Sequence, residues 1–141
     1  MNWKLIVQLS LFGLAMGVGT VFVIPSTIEP IFWLFIWVLC AYLIARGTRD
    51  LRFLHGLLVG LVNSVWIIAA HVLLYDAYAA HHAKEVAMMQ SISGAVPQRV
   101  LVALLGIPAG IVSGILIGLF AMIAGKLIAR PAVTEGKAVS N

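Results

Sequence analysis

Charge is scarce in this sequence. Of its 141 residues, nine are Lys or Arg and five are Asp or Glu, a charged fraction of 10%. A soluble domain carries about a quarter charged residues. This chain has too little polar surface to cover a globule, so a water-soluble fold is excluded. Cysteine is nearly absent as well. Cys40 stands alone inside an apolar run, which excludes an intrachain disulfide framework and any thiolate metal motif and leaves a small buried hydrophobe. Catalytic signatures are missing: there is no Gly-x-Ser-x-Gly, His-Glu-x-x-His, P-loop or paired catalytic carboxylate, and the chain is not expected to be an enzyme. No Asp, Glu, Lys or Arg falls in the middle of an apolar run, where ion-coupled transporters and pumps mark their pathway.

Apolar length is what the sequence has in abundance. Crossing the hydrocarbon core takes about 20 residues at about 1.5 Å each, and four runs reach that length, at about 5–24, 27–45, 53–75 and 98–128. Backbone groups in lipid must be satisfied internally, so the expectation is an all-α four-helix membrane bundle, one domain over residues 1–141. The first run is too long for a signal peptide, lacks a small-x-small cleavage site, and reads as a retained span ending at Pro25. Ser26 and Glu29 have capping-box spacing ahead of the second, and Gly47 suits its end. Pro97 suits the first turn of the fourth.

Charge assigns the sides. Lys4, Arg46, Arg49, Arg52, Lys126, Arg130 and Lys137, with Asp50 and Glu135, fall on one side; Lys84 and Arg99, with Glu29, Asp76 and Glu85, fall on the other. Seven basic residues against two place both termini in the cytoplasm and argue against dual topology. The net charge of +4 therefore serves orientation, and no nucleic acid is expected as a partner. The short link 46–50 predicts that spans two and three are antiparallel neighbours. The alanine-rich stretch after Asp76 predicts that helix three continues outside the membrane or bends into an interfacial helix, with Ser93-Gly94 as a stop. The polar tail from Pro131 is expected to fray.

Glycine spacing is the sharpest pattern. Gly106, Gly110, Gly114 and Gly118 recur every four residues in the fourth span; the third carries Gly56 and Gly60, the first Gly13 and Gly17. Small residues at this spacing let membrane helices approach closely, either within the monomer or between chains. Pro108 is expected to kink or loosen the fourth helix. The intramembrane polar candidates are Asn63, Ser64, His71 and Tyr75, and Ser64, His71, Tyr75, Tyr78 and His82 lie on one helical stripe. A stripe of this kind can ligate a metal, haem or pigment, or line a quinone pocket, but it offers no second intramembrane histidine. His81-His82-x-x-Glu85 reads as a wet, charged helix face, not a metal patch. Arg99 is expected to pair with Glu85 or a lipid phosphate.

The stretch Arg49-Asp50-Leu51-Arg52-Phe53-Leu54-His55-Gly56-Leu57-Leu58-Val59-Gly60, then Met88-Met89 and Gly106-Ile107-Pro108-Ala109-Gly110, resembles the small four-helix bacterial membrane proteins known only as a domain of unknown function. The resemblance covers about residues 47–128. It implies a bacterial cytoplasmic membrane and the same topology, and it carries no activity and no catalytic residue. The leading expectation is an accessory or structural subunit, packing through its glycine faces against other membrane subunits or a second copy, in contact with the lipid bilayer and without cofactor or metal. The alternative is a small transporter or channel for a neutral or hydrophobic solute. A redox or pigment-binding subunit using His71 stands third.

Overall fold

The structure, a computed structural model, describes residues 1–128; the polar tail, with Arg130, Glu135 and Lys137, lies outside the described residues. Six helices follow one another: α1 (Trp3–Phe22), α2 (Glu29–Gly47), α3 (Arg52–Leu73), α4 (Tyr75–His81), α5 (Ala83–Ser93) and α6 (Gln98–Ile128), with no strand among the described residues. Helices α1, α2, α3 and α6 are each long and apolar enough to cross a membrane. At about 1.5 Å per residue, the 31 residues of α6 exceed the hydrocarbon thickness, so this helix tilts or projects beyond it.

Local chemistry sets the ends. Asn2 caps α1, its Oδ1 accepting from Leu5 N at 3.1 Å. The Gly19 carbonyl closes the other end by accepting from Val23 N and Ile24 N, both at 2.8 Å, just ahead of Pro25. The capping box expected at Ser26 does not form. Helix α2 starts at Glu29 behind Ile28, without a side-chain cap and with proline in its first turn. The Ser26 hydroxyl is instead engaged by His82, and Glu29 accepts from Trp33 Nε1 at 2.9 Å. Leu51 turns the chain into α3 with a left-handed φ of 55°. Helix three is continued by α4 and α5 with interruptions at Leu74 and His82, through which i→i+4 backbone bonds persist, and α4 packs against α1. Gly94, at φ 54°, provides the stop after α5.

Packing departs from the loop-length expectation. Helix α3 sits between α1 and α6, and α2 leans chiefly on α6, with little contact to α3 despite the short link between them. The close approach of α3 to α6 takes up α3's small-residue face and leaves α6 as α2's main partner. The buried core of Ile6, Leu9, Met16, Ile36, Cys40, Ile44, Val59 and Ile117 draws on all four long helices.

Candidate functional site

The glycine faces meet inside the chain. A Cβ on Gly56 would strike the backbone of Gly118, and one on Gly60 would strike Gly114 and lie 2.8 Å from the Gly110 carbonyl oxygen. From the other side, a Cβ on Gly114 would sit 2.6 Å from the Leu57 carbonyl oxygen and one on Gly118 2.7 Å from that of Phe53. Gly110 lies on the Ser64 side chain and Gly106 on Ile68. On α1, a Cβ at Gly13 would come within 2.8 Å of Asn63 Cα, and one at Gly17 within 3.0 Å of Ala70 Cβ. All eight glycines are thus spent on α1–α3 and α3–α6 contact, and these faces are filled within one chain.

That contact orients Asn63. The Gly13 N–H donates to Asn63 Oδ1 at 3.2 Å, and the asparagine is only 2% exposed. Its Nδ2 is buried and has no partner. Asn63 is among the residues lining a cavity of about 670 Å³ between α2, α3 and α6, together with Trp33 and Trp37, Ser64 and Ser113, Ile67, and Ser26 and Glu29. Gly60, Gly106 and Gly110 contribute backbone to the lining, their Cβ directions being taken up by the α3–α6 contact. Trp37 Nε1 is likewise buried without a partner. Exposed Pro108, Ala109 and Val112 also line it and open it to the exterior. Pro108 sits inside an unbroken α6, where it leaves the carbonyl one turn earlier without its usual donor.

The predicted polar site is not one site. Asn63 and Ser64 belong to the cavity, whereas His71 and Tyr75 do not line it. His71, Tyr75, Tyr78 and His82 keep together across the interruptions at Leu74 and His82, through which the i→i+4 backbone bonds continue. The His71 ring meets Tyr78 edge-on at 4.8 Å, and Tyr78 stacks on His82 at 4.6 Å. His71 Nδ1 donates to the Ile67 carbonyl at 2.9 Å, and its Nε2 faces Thr20 Oγ1 at 3.4 Å. The expected wet face at His82 is wrong on this point: the residue is 6% exposed. Its Nε2 donates to the Thr20 carbonyl at 2.6 Å, and its Nδ1 lies 3.0 Å from the Ser26 hydroxyl. Burial pushes the Tyr78 phenol up, and the Ser26 hydroxyl holds the Glu85 carboxyl below its ordinary range.

Tyr75 sits beside this stack, its hydroxyl buried without a partner and its ring under the Arg99 guanidinium at 5.7 Å. Arg99 pairs with Asp76 at 3.0 Å, not with Glu85. Among the described residues no group of three or more His, Cys, Asp or Glu is placed to hold a metal ion. Sequence reading missed Trp33, Trp37 and Glu29 as cavity residues. Their spacing of four places them on one face of α2, the signal that could have found them. No family model, no curated protein and no solved structure matches the chain.

Proposed function

We propose that this chain is a non-catalytic multi-pass membrane protein that binds a neutral hydrophobic solute in the α2–α3–α6 cavity, as a small carrier does. One observation carries the reading: a cavity of about 670 Å³ between α2, α3 and α6, lined by Trp33 and Trp37 and reached past the exposed Pro108, Ala109 and Val112. The accessory-subunit reading loses its main support, because the glycine faces are filled from within. The pigment reading loses support because both His71 nitrogens already face partners.

The orientation proposed puts Lys4, Arg46, Arg49, Arg52 and Lys126 in the cytoplasm and α4–α5 outside. The membrane is the cytoplasmic membrane of a bacterium, in keeping with the four-helix resemblance over 47–128. The test of binding is energy transfer from tryptophan to a 9-alkylanthracene with the protein in nanodiscs. Saturable transfer that Ala109→Phe, a substitution in the cavity wall, abolishes is expected. Transfer that does not saturate, or that Ala109→Phe leaves intact, overturns the reading.

A further inference from the structure

The placement of the cavity along its helices fixes how an occupant lies, an inference that rests on the binding reading above. The α2 lining starts at Glu29, the first residue of that helix, and reaches Trp37, the ninth of 19. The α3 lining runs from Ile67, the sixteenth of 22, back to Gly60, the ninth. Both helices therefore put one end of the cavity at mid-span and the other toward the α4–α5 side of the bundle. Ser26 agrees, since its hydroxyl lies 3.0 Å from His82 Nδ1, where α4 meets α5. Trp37 follows Glu29 by eight residues, a rise of about 12 Å at about 1.5 Å per residue. Half of a hydrocarbon core measures about 15 Å. An occupant that fills this length has one end at the membrane boundary and the other at its middle.

The two ends differ in chemistry. Among the described residues Glu29 is the one charged member of the lining, and no basic side chain pairs with it. Trp33 Nε1 donates to its Oε1 at 2.9 Å and holds the carboxylate at the boundary end. An ionised carboxylate only accepts hydrogen bonds, so the head of the occupant has to donate. An anionic head, a phospholipid phosphate included, meets repulsion from Glu29 and from Glu85, whose carboxylate lies 3.9 Å from His82 Nδ1. The inner end offers a polar group less: the Ser64 hydroxyl is already spent on the Leu61 carbonyl at 2.8 Å. The way in selects against charge. Pro108, Ala109 and Val112 are exposed on α6 beside Gly106 and Gly110, which pack on Ile68 and Ser64 of α3. The opening thus lies within the span, where a charged head is costly. We infer that the cavity is a binding site for a neutral single-chain amphiphile of the long-chain alcohol class, its hydroxyl donating to Glu29 and its alkyl chain lying along Trp33 and Trp37 to mid-span.

The experiment compares three probes in nanodiscs holding the full chain: a long-chain primary alcohol, its methyl ether and its sulfate ester, all brominated at the far end of the same alkyl chain. Bromine quenches tryptophan on contact, and the share of the cavity is the quenching that Ala109→Phe removes. The expected result is saturable quenching by the alcohol, with the ether about five- to tenfold weaker for want of one hydrogen bond. The sulfate should be weaker still. Glu29→Leu should bring the alcohol down to the ether and leave the ether unchanged. Glu29→Gln, which keeps an acceptor for Trp33 and removes the charge, should keep the alcohol bound and admit the sulfate. If alcohol and ether bind alike and Glu29→Leu changes neither, the head-group inference falls while the binding reading stands. If the alcohol fails to quench although energy transfer to the alkylanthracene saturates, the inference again falls alone. If neither saturates, both fall. If a brominated phosphatidylcholine quenches the cavity share and the alcohol does not displace it, the occupant is a phospholipid and the inference is overturned.

Discussion

Gly13 and Asn63 are joined backbone to side chain, the Gly13 N–H donating to Asn63 Oδ1 at 3.2 Å across two helices that touch with no Cβ between them. The bond fastens α1 to α3 and sets the orientation of the buried Asn63 amide.

The small-residue contacts should govern stability rather than assembly. Gly60→Val and Gly114→Val push backbone against backbone, and each should cost at least about 1–3 kcal/mol, read as a lowered thermal midpoint in detergent. Crosslinking should show the same oligomeric state for wild type and for whatever variant remains folded. Variants of unchanged midpoint with altered assembly would place these glycines between chains instead.

His82→Ala should release the α4–α5 segment from the bundle. The substitution leaves the Thr20 carbonyl and the Ser26 hydroxyl without their ring partner, a loss of about 1–3 kcal/mol. Hydrogen exchange over 75–93 should speed up severalfold while α3 and α6 keep their protection. Unchanged exchange there would mean that the histidine holds nothing in place.

Glu85 gives that segment an acid dependence. Its carboxyl is held below the ordinary value of 4.5 by the Ser26 hydroxyl. A carboxyl depressed in the folded state stabilises the fold above its unfolded value, and the contribution is lost as pH falls through the folded value. Protection of α5 in wild type should therefore converge on that of Glu85→Gln below pH 4.5 and exceed it above. Parallel profiles across that range would contradict the assignment.

The Arg99–Asp76 pair should matter little. Its side chains are 48% and 90% exposed, and exposed pairs contribute about 1 kcal/mol at most. Asp76→Asn should move the thermal midpoint by no more than a degree or two, far less than Gly60→Val.

Topology is open to labelling. Cys40 is buried, so a Cys40→Ala background carrying Ser91→Cys in α5 should react with an impermeant maleimide in intact cells. Arg49→Cys should react only after permeabilisation. The reverse pattern would invert the proposed orientation.

The four long helices were legible because apolar runs, prolines and interrupting charges are local signals. The start of α6 at Gln98 follows from Pro97. Glycine spacing announced close approach but not the partner. That depends on which helices share a face, and Gly60 opposite Gly114 is a fact of three dimensions. His82 read as wet because its immediate neighbours are polar, yet its partners Thr20 and Ser26 lie 62 and 56 residues away. The cavity was hidden for a related reason. In sequence Trp33 and Trp37 have no partner to line a space with, and only the separation of α2 from α3 leaves a cavity beside them.

The pairing of α2 with α6 bears on how the chain is made. Its first hairpin leaves the translocon with helices that barely touch each other, and α2 must wait in lipid until the last span has been synthesised. Premature termination anywhere before α6 would therefore strand a helix with no mate, a natural target for membrane quality control.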